Sequence, residues 1–320
     1  MTIALDVQEL SIDYLNGNQS LHAVVDISFH INKGQSLALV GESGCGKTTT
    51  MLSLLRLLPA EGRIVSGKIL YNGVDLLQLS ESQMREYRWK HLAIVFQGAM
   101  NALNPVRRIG DQIAECITLH DQTSHKVAMK QVQEVLELVG IPAERATNYP
   151  HQFSGGMRQR AMIAMALACN PSVLIADEPT TALDVMTQAQ ILELLQSLQQ
   201  QLGLAVIFVT HDLGIVAEMC DHVLVMYAGK TAEYGTVDSI FNRSKHPYTR
   251  RLLQAFPDIN NPFSTLTSIP GHPPPLDALP PGCRFEPRCH KRLDKCIHHV
   301  PQLTEQSSEH KVACFYPEQE

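Results

Sequence analysis

The stretch GESGCGKT, Gly41–Thr48, spaces its residues as G-x-x-x-x-G-K-T. The glycines let the main chain wrap a phosphate, so that backbone N–H groups and the N-terminus of the next helix point at negative charge. Lys47 is expected to reach the β and γ phosphates, and Thr48 to offer its hydroxyl to Mg2+. A second stretch, VLIADE (Val173–Glu178), reads as a buried apolar strand that delivers two carboxylates to its end. Asp177 is expected to hold Mg2+, directly or through water, and Glu178 to orient and polarise a water for in-line attack on a γ-phosphate. A third, FSGGMRQR (Phe153–Arg160), sets a serine and two glycines at a helix start, which makes another anion site. Each stretch also has a plainer reading: a glycine turn, a solvated acidic turn, a capped helix.

The elements around these residues suit the chemistry. IALDVQELSIDY and AVVDISFHI read as strands separated by the turn NGNQ. GQSLALVG is a compact apolar strand, and TTTMLSLLRLL after the glycine loop has helical character. Strand, glycine loop and helix in that order are the context a phosphate loop requires. From about 98 to 150 the chain turns helical, in VRRIGDQIAECITLH and KVAMKQVQEVLELVG, the second stopping at Gly140 with Pro142 beyond. From 154 to 236 helices and apolar strands alternate, which predicts an α/β core with mostly parallel strands. Beyond about 245, prolines at 247, 257, 262, 270, 273, 274, 275, 280 and 281 rule out one regular element and predict a connector or loop-rich appendix.

Composition sets limits. The chain has 320 residues, 44% of them apolar and 18% charged, with a net charge of −6. That is a normal soluble composition, and it argues against a general nucleic-acid-binding role. No apolar run has the length of a membrane span, and the N-terminus carries no secretory signal, so a cytoplasmic protein is expected.

Four of the eight cysteines, Cys283, Cys289, Cys296 and Cys314, fall in the C-terminal stretch at spacing C-x5-C-x6-C-x17-C. Disulfides are disfavoured in a cytoplasmic chain. Structural zinc sites favour short C-x2–4-C knuckles, which are lacking here, although His290, His298 and His299 keep zinc open. Four thiolates also suit an iron–sulfur cluster, and buried unliganded cysteines are the plain alternative; spacing does not choose among them.

The phosphate loop, the SGG stretch and the VLIADEP strand, taken together, resemble the ABC ATPases. The family's usual LSGGQ has Phe153 and Met157 at its first and fifth positions here, with Ser154, Gly155 and Gly156 kept. Other family positions match in order over residues 1 to about 240. Tyr14 stands where an aromatic stacks on adenine. Gln97, in IVFQ, stands where a glutamine contacts Mg2+ and the attacking water. TALD (Thr181–Asp184) matches the loop that crosses between two ATPase subunits, and His211 the histidine that contacts the γ-phosphate. NALNP (Asn101–Pro105), HPYTRRLL (His246–Leu253) and the proline-rich cysteine tail resemble the ATPase subunits of bacterial dipeptide, oligopeptide and nickel importers.

The resemblance implies an α/β fold: an ABC-type P-loop ATPase core, in which a mixed sheet joins RecA-like parallel strands to an antiparallel β subdomain. It places this core at 1–97 and 151–245, a helical subdomain at 98–150 that extends through the signature helix to about 170, and a small loop-rich C-terminal cysteine domain at 246–320. It implies an ATP hydrolase whose catalytic residues are Glu178, His211 and Gln97. ATP would be bound by Tyr14, Gly41, Ser43, Gly44, Cys45, Gly46, Lys47, Thr48 and Thr49, and Mg2+ by Thr48, Gln97 and Asp177. Ser154, Gly155 and Gly156 would serve the ATP of a partner subunit. It implies a [4Fe–4S] cluster on Cys283, Cys289, Cys296 and Cys314, with zinc as the alternative. The implied partners are two transmembrane permeases, a second, related ATPase subunit and, through the permeases, an extracytoplasmic solute-binding protein, with no nucleic acid. The implied place is peripheral, on the cytoplasmic face of the inner membrane, driving uptake of di- or oligopeptides. Alternatives are an importer of nickel or another small solute, or a soluble non-transport ABC ATPase. Cys45, beside Lys47 and near a helix N-terminus, is expected to have a lowered thiol pKa, so that alkylation inhibits and ATP protects.

Overall fold

The computed structural model describes residues 2–17, 19–98, 102–181, 183–255, 269–307 and 309–318. Asn101, Ala182, Pro257 and Pro262, named or spanned above, lie outside the described residues. Two long strands open the chain, β1 (Ile3–Asn16) and β2 (Gln19–Asn32). The short buried strand β3 (Ser36–Val40) leads through the glycine loop into α1 (Lys47–Leu54). Then come β4 (Gly62–Tyr71), β5 (Val74–Asp75), α2 (Glu81–Tyr87) and β6 (Leu92–Val95). Helices α3 (Ile109–Asp121), α4 (His125–Leu138) and α5 (Gly155–Leu167) follow in series. The alternating part holds β7 (Val173–Asp177), α6 (Val185–Leu202), β8 (Ala205–Val209), α7 (Leu213–Met219), β9 (His222–Tyr227), β10 (Lys230–Thr236) and α8 (Val237–Arg243). The C-terminal part holds α9 (Pro247–Gln254), α10 (Asp294–His298), β11 (Thr304–Ser307) and β12 (His310–Val312).

The chain divides into two compact units. The first takes Met1–Leu5, Ile31–Gln35 and Gln78–Phe208. Within it β6 and β7 run parallel, with Leu92 opposite Val173 and Val95 opposite Ala176, and β8 flanks β7. Every residue of β7 and β8 is buried, which is why β8, and β7 up to its terminal Asp177, read as apolar runs. Helices α3, α4 and α5 pack against one another. Two side chains pin α5: Arg160 donates to the Val139 carbonyl at the end of α4 at 2.8 Å, and the Trp89 indole donates to Met165 O at 2.7 Å.

The second unit takes Asp6–His30, Ser36–Leu77 and Val209–Glu320. One of its sheets has the order β2-β1-β4-β5, with β4 antiparallel to both β1 and β5. The other runs β11-β12-β10-β9-β3. There β3 and β9 are parallel, whereas β9, β10, β12 and β11 pair antiparallel in turn. Its core joins Val40, Val223 and Val225 to three rings, Tyr227, Tyr248 and Phe285, whose centroids lie 4.6, 5.1 and 5.4 Å apart. Ring pairs at these spacings add about 1 kcal/mol each beyond the area they bury.

One expectation needs correction. The helix after the glycine loop stops at Leu54 rather than running to Leu58. Arg56 takes φ 52°, and the Leu57 N–H returns to Leu52 O, closing the helix without a glycine to announce it. The tail carries short elements between its loops. Pro247 occupies the first turn of α9, where no N–H is needed, and β12 adds to the edge of β10.

Candidate nucleotide site and cysteine cavity

The glycine loop folds in the second unit, where its shape forces its sequence. Gly41 has φ 147°, and a Cβ on it would lie 2.2 Å from Met226 O. Gly46 has φ 102° and caps α1 without a side chain, so the first-turn N–H groups of α1 face outward. Ser43, Gly44 and Thr48 are exposed, and Lys47 is half-buried. The Lys47 ammonium donates to Gly41 O at 2.6 Å and to Glu42 O at 3.1 Å. A cradle of uncapped N–H groups with a cation at its rim fits a nucleotide's phosphates. The Tyr14 hydroxyl lies 3.3 Å from the Thr49 hydroxyl, at the start of α1. His211 is exposed, in the turn before Asp212 caps α7.

Cys45 departs from expectation. It is 2% exposed. Burial pushes its thiol above the ordinary range, and the charge of Lys47 offsets this only in part. The loop thiol is a packed residue rather than an activated nucleophile.

The carboxylate strand folds in the first unit. Asp177 ends β7 and is buried, while Glu178 follows it, half-buried, at φ 44°. A left-handed backbone at a non-glycine residue costs energy and turns the carboxylate out of the strand's line. The Gln97 amide donates to Glu178 Oε2 at 2.5 Å, and the Thr181 hydroxyl donates to the same oxygen at 2.9 Å. Two donors on one oxygen hold this carboxylate in a fixed direction.

Ser154 caps α5, its hydroxyl accepting from Met157 N at 3.3 Å, and it is exposed with Gly155 and Gly156 beside it. A Cβ on Gly156 would meet the Thr187 side chain at 2.6 Å, so a larger residue would have to displace Thr187 where α5 passes the start of α6. Asp184 caps α6 by accepting from Thr187 N at 3.0 Å.

Two groups of residues escaped the sequence reading. Buried Gln112 of α3 accepts from Asn104 N at 2.8 Å and donates to Asn104 O at 3.1 Å, fixing the loop after Gln97. Beside that loop Val106 is 79% exposed. Arg288 and Tyr248 both bind Glu42 inside the glycine loop. The HPYT run marks Tyr248 as notable, but nothing in the sequence signals Arg288.

The four C-terminal cysteines line a single cavity of the second unit, together with His246 and Phe285. Cys283 N–H donates to Cys296 O at 2.8 Å. Burial pushes the Cys283 and Cys314 thiols up to about 11, and the nearby Cys289 and Cys296 add to the rise in both. Among the described residues no three His, Cys, Asp or Glu side chains gather closely enough to hold a single metal ion.

Comparison with known proteins decides the family. A family described as ABC transporter matches residues 24–181, and one described as oligopeptide/dipeptide transporter, C-terminal region, matches 232–296. The dipeptide transport ATP-binding protein DppD of Bacillus subtilis (strain 168) is 47% identical over 100% of this chain and 96% of its own. The oligopeptide transport ATP-binding protein OppD of Salmonella typhimurium is 43% identical, covering 99% and 95%. The chain belongs to the ABC transporter family, as one of its ATPases. Solved structures agree on the fold of this ABC ATPase. CbiO1 from Clostridium perfringens, part of an ABC transporter complex, superposes with a TM-score of 0.65 at 30% identity, covering 76% of this chain and 92% of that one. A dimeric ATP-binding cassette in a post-hydrolysis state with ADP and phosphate gives 0.64 at 25% identity, covering 73% and 98%. Among the described residues of this ABC ATPase, no helix is long and apolar enough to cross a membrane.

Proposed function

We propose that the chain energises uptake of di- or oligopeptides from the cytoplasmic face of the membrane. The observation that carries this is the match of residues 232–296 to the C-terminal region of oligopeptide/dipeptide transporters, on a chain whose full-length relatives are peptide-transport ATP-binding proteins. In the second unit, residues 41–49 with Tyr14 bind the nucleotide, Thr48 serves Mg2+ and His211 the γ-phosphate. In the first, Asp177 and Gln97 serve Mg2+, and Glu178 aims the attacking water. Ser154, Gly155 and Gly156 serve the nucleotide of a second, related subunit; a dimeric cassette among the structural neighbours supports that pairing. The helical region at 98–150 receives the two permeases, and exposed Val106 beside a loop clamped by Gln112 supports that role. An extracytoplasmic binding protein delivers the solute to the permeases.

The test is reconstitution with the accompanying permeases in vesicles. Peptide-loaded binding protein should stimulate ATP hydrolysis and peptide accumulation together. Stimulation by nickel chelates and not by peptides would overturn the cargo. ATPase activity indifferent to the permeases would overturn transport.

For the cysteines we propose a [4Fe–4S] cluster that staples the C-terminal segment or senses redox state. Four thiols around one cavity support it. A cuboidal cluster takes one thiolate at each of four irons, so its donors stand farther apart than around one zinc ion. Anaerobically purified protein should be brown and contain iron and sulfide; colourless protein with zinc would overturn the cluster.

A further inference from the structure

Glu42 is the first variable residue of the phosphate loop, and it is gripped at three points. Its carboxylate meets the Arg288 guanidinium as a fork, Nη1 to Oε2 at 2.6 Å and Nη2 to Oε1 at 2.9 Å. Its N–H donates to the Tyr248 hydroxyl at 2.9 Å. Its carbonyl accepts from Lys47 Nζ at 3.1 Å.

The two distal partners are rigid. The Arg288 side chain is 5% exposed. Beyond Glu42 it donates to Pro270 O at 2.8 Å, the Tyr227 hydroxyl at 3.2 Å, Gly271 O at 3.3 Å and Ile269 O at 3.4 Å. Every direction of its fork is fixed by the C-terminal segment and β9. Tyr248 is 0% exposed and wedged between the Tyr227 and Phe285 rings. Arg288 also immediately precedes Cys289, so the same short turn carries the latch and one wall of the cysteine cavity.

The Lys47 ammonium has three N–H donors, and its contacts to Gly41 O, Glu42 O and Cys45 Sγ occupy them. A donor that turns to phosphate gives up one of these contacts, so the hold of Lys47 on the loop weakens. The loop's first residues then keep their shape through Arg288 and Tyr248. We propose that Arg288 and Tyr248 are positioning residues of the ATPase, through which the C-terminal segment holds the phosphate loop in its nucleotide-binding shape. This rests on the reading that residues 41–49 bind the nucleotide. Linkage makes the coupling reciprocal: nucleotide on the loop steadies the turn at Glu286–Arg288.

The experiment uses the purified full-length chain and two readouts, equilibrium binding of a fluorescent ATP analogue and hydrogen exchange of the segment 283–298 with and without ATP. Arg288→Gln should weaken binding on the order of tenfold. Tyr248→Phe should weaken it several-fold. In the wild type ATP should slow exchange over 283–298, and Arg288→Gln should abolish that slowing. Should Arg288→Gln fail to fold, Arg288→Lys, which keeps the charge and loses the fork, and Tyr248→Phe decide by the same readouts. Folded variants with wild-type affinity, or exchange over 283–298 indifferent to ATP in the wild type, would overturn the latch alone. A wild-type chain that binds no ATP would remove the loop reading and the latch with it.

Discussion

Gln97 and Glu178, 81 positions apart in the chain, meet at 2.5 Å, amide to carboxylate. Thr181 holds the same oxygen, and a left-handed backbone at Glu178 sets its direction. Glu178→Gln keeps the shape and the amide contact but removes the basic oxygen. ATP hydrolysis by the reconstituted transporter should fall by about 10²–10⁴-fold, with nucleotide affinity unchanged. An unaltered turnover rate would show that another group activates the water.

Gly41 should tolerate no side chain. A Cβ there meets Met226 O at 2.2 Å and Cys45 Sγ at 2.7 Å on a backbone of φ 147°. Gly41→Ala is expected to lose about 3 kcal/mol of stability and most nucleotide binding, read by urea unfolding and ATP-analogue titration. Gly44→Ala is the control for space: it also has positive φ, yet nothing lies within 4 Å of the added carbon. Its stability loss should be smaller.

His246 gives the fold an acid sensitivity. Its ring caps α9 by accepting from Tyr248 N at 3.0 Å. Burial pushes its pKa down to about 4, with the Glu233 carboxylate pulling the other way. An unfolded histidine titrates near 6.5, so between about 6.5 and 4 the unfolded chain takes up a proton that the folded chain refuses. Stability from this group is complete above that window and declines as pH falls through it, by up to about 3 kcal/mol. His246→Asn, which can still cap α9, should flatten the dependence. Equal slopes in urea midpoints at pH 7.5, 6 and 5 would assign the sensitivity elsewhere.

Cys45 should be inert. A thiol 2% exposed, with its pKa raised by burial, presents little thiolate at neutral pH. Iodoacetamide labelling of Cys45 in the native chain should run at least about tenfold slower than in urea, and should rise only in alkaline solution. Fast native labelling at pH 7, read by peptide mass spectrometry, would show that Lys47 outweighs burial.

What the sequence revealed follows from how far apart cause and effect lie along the chain. The glycine loop, the β7 carboxylates and Ser154–Gly156 are legible because each packs its chemistry into a few consecutive residues whose types the geometry dictates. Cys45 misled because Lys47 is visible in the sequence, whereas the packing that buries the thiol is not. Arg288 stayed hidden because its partner Glu42 lies 246 positions away. The strand β12, three residues long with a lysine at its centre, carries no pattern of its own and exists because β10 offers it an edge. The end of α1 was missed because a non-glycine residue, Arg56, takes the left-handed turn.

That edge has a consequence for modularity. Beneath β12, Glu233 of β10 is 0% exposed and accepts from Lys245 N, His246 N and the His310 ring. Cutting the chain before β11 would bare a strand edge and strip the His310 partner from a carboxylate built to be enclosed. Such a trimmed cassette would be prone to pair edge to edge with its own copies. The C-terminal segment is the closing seam of the second unit.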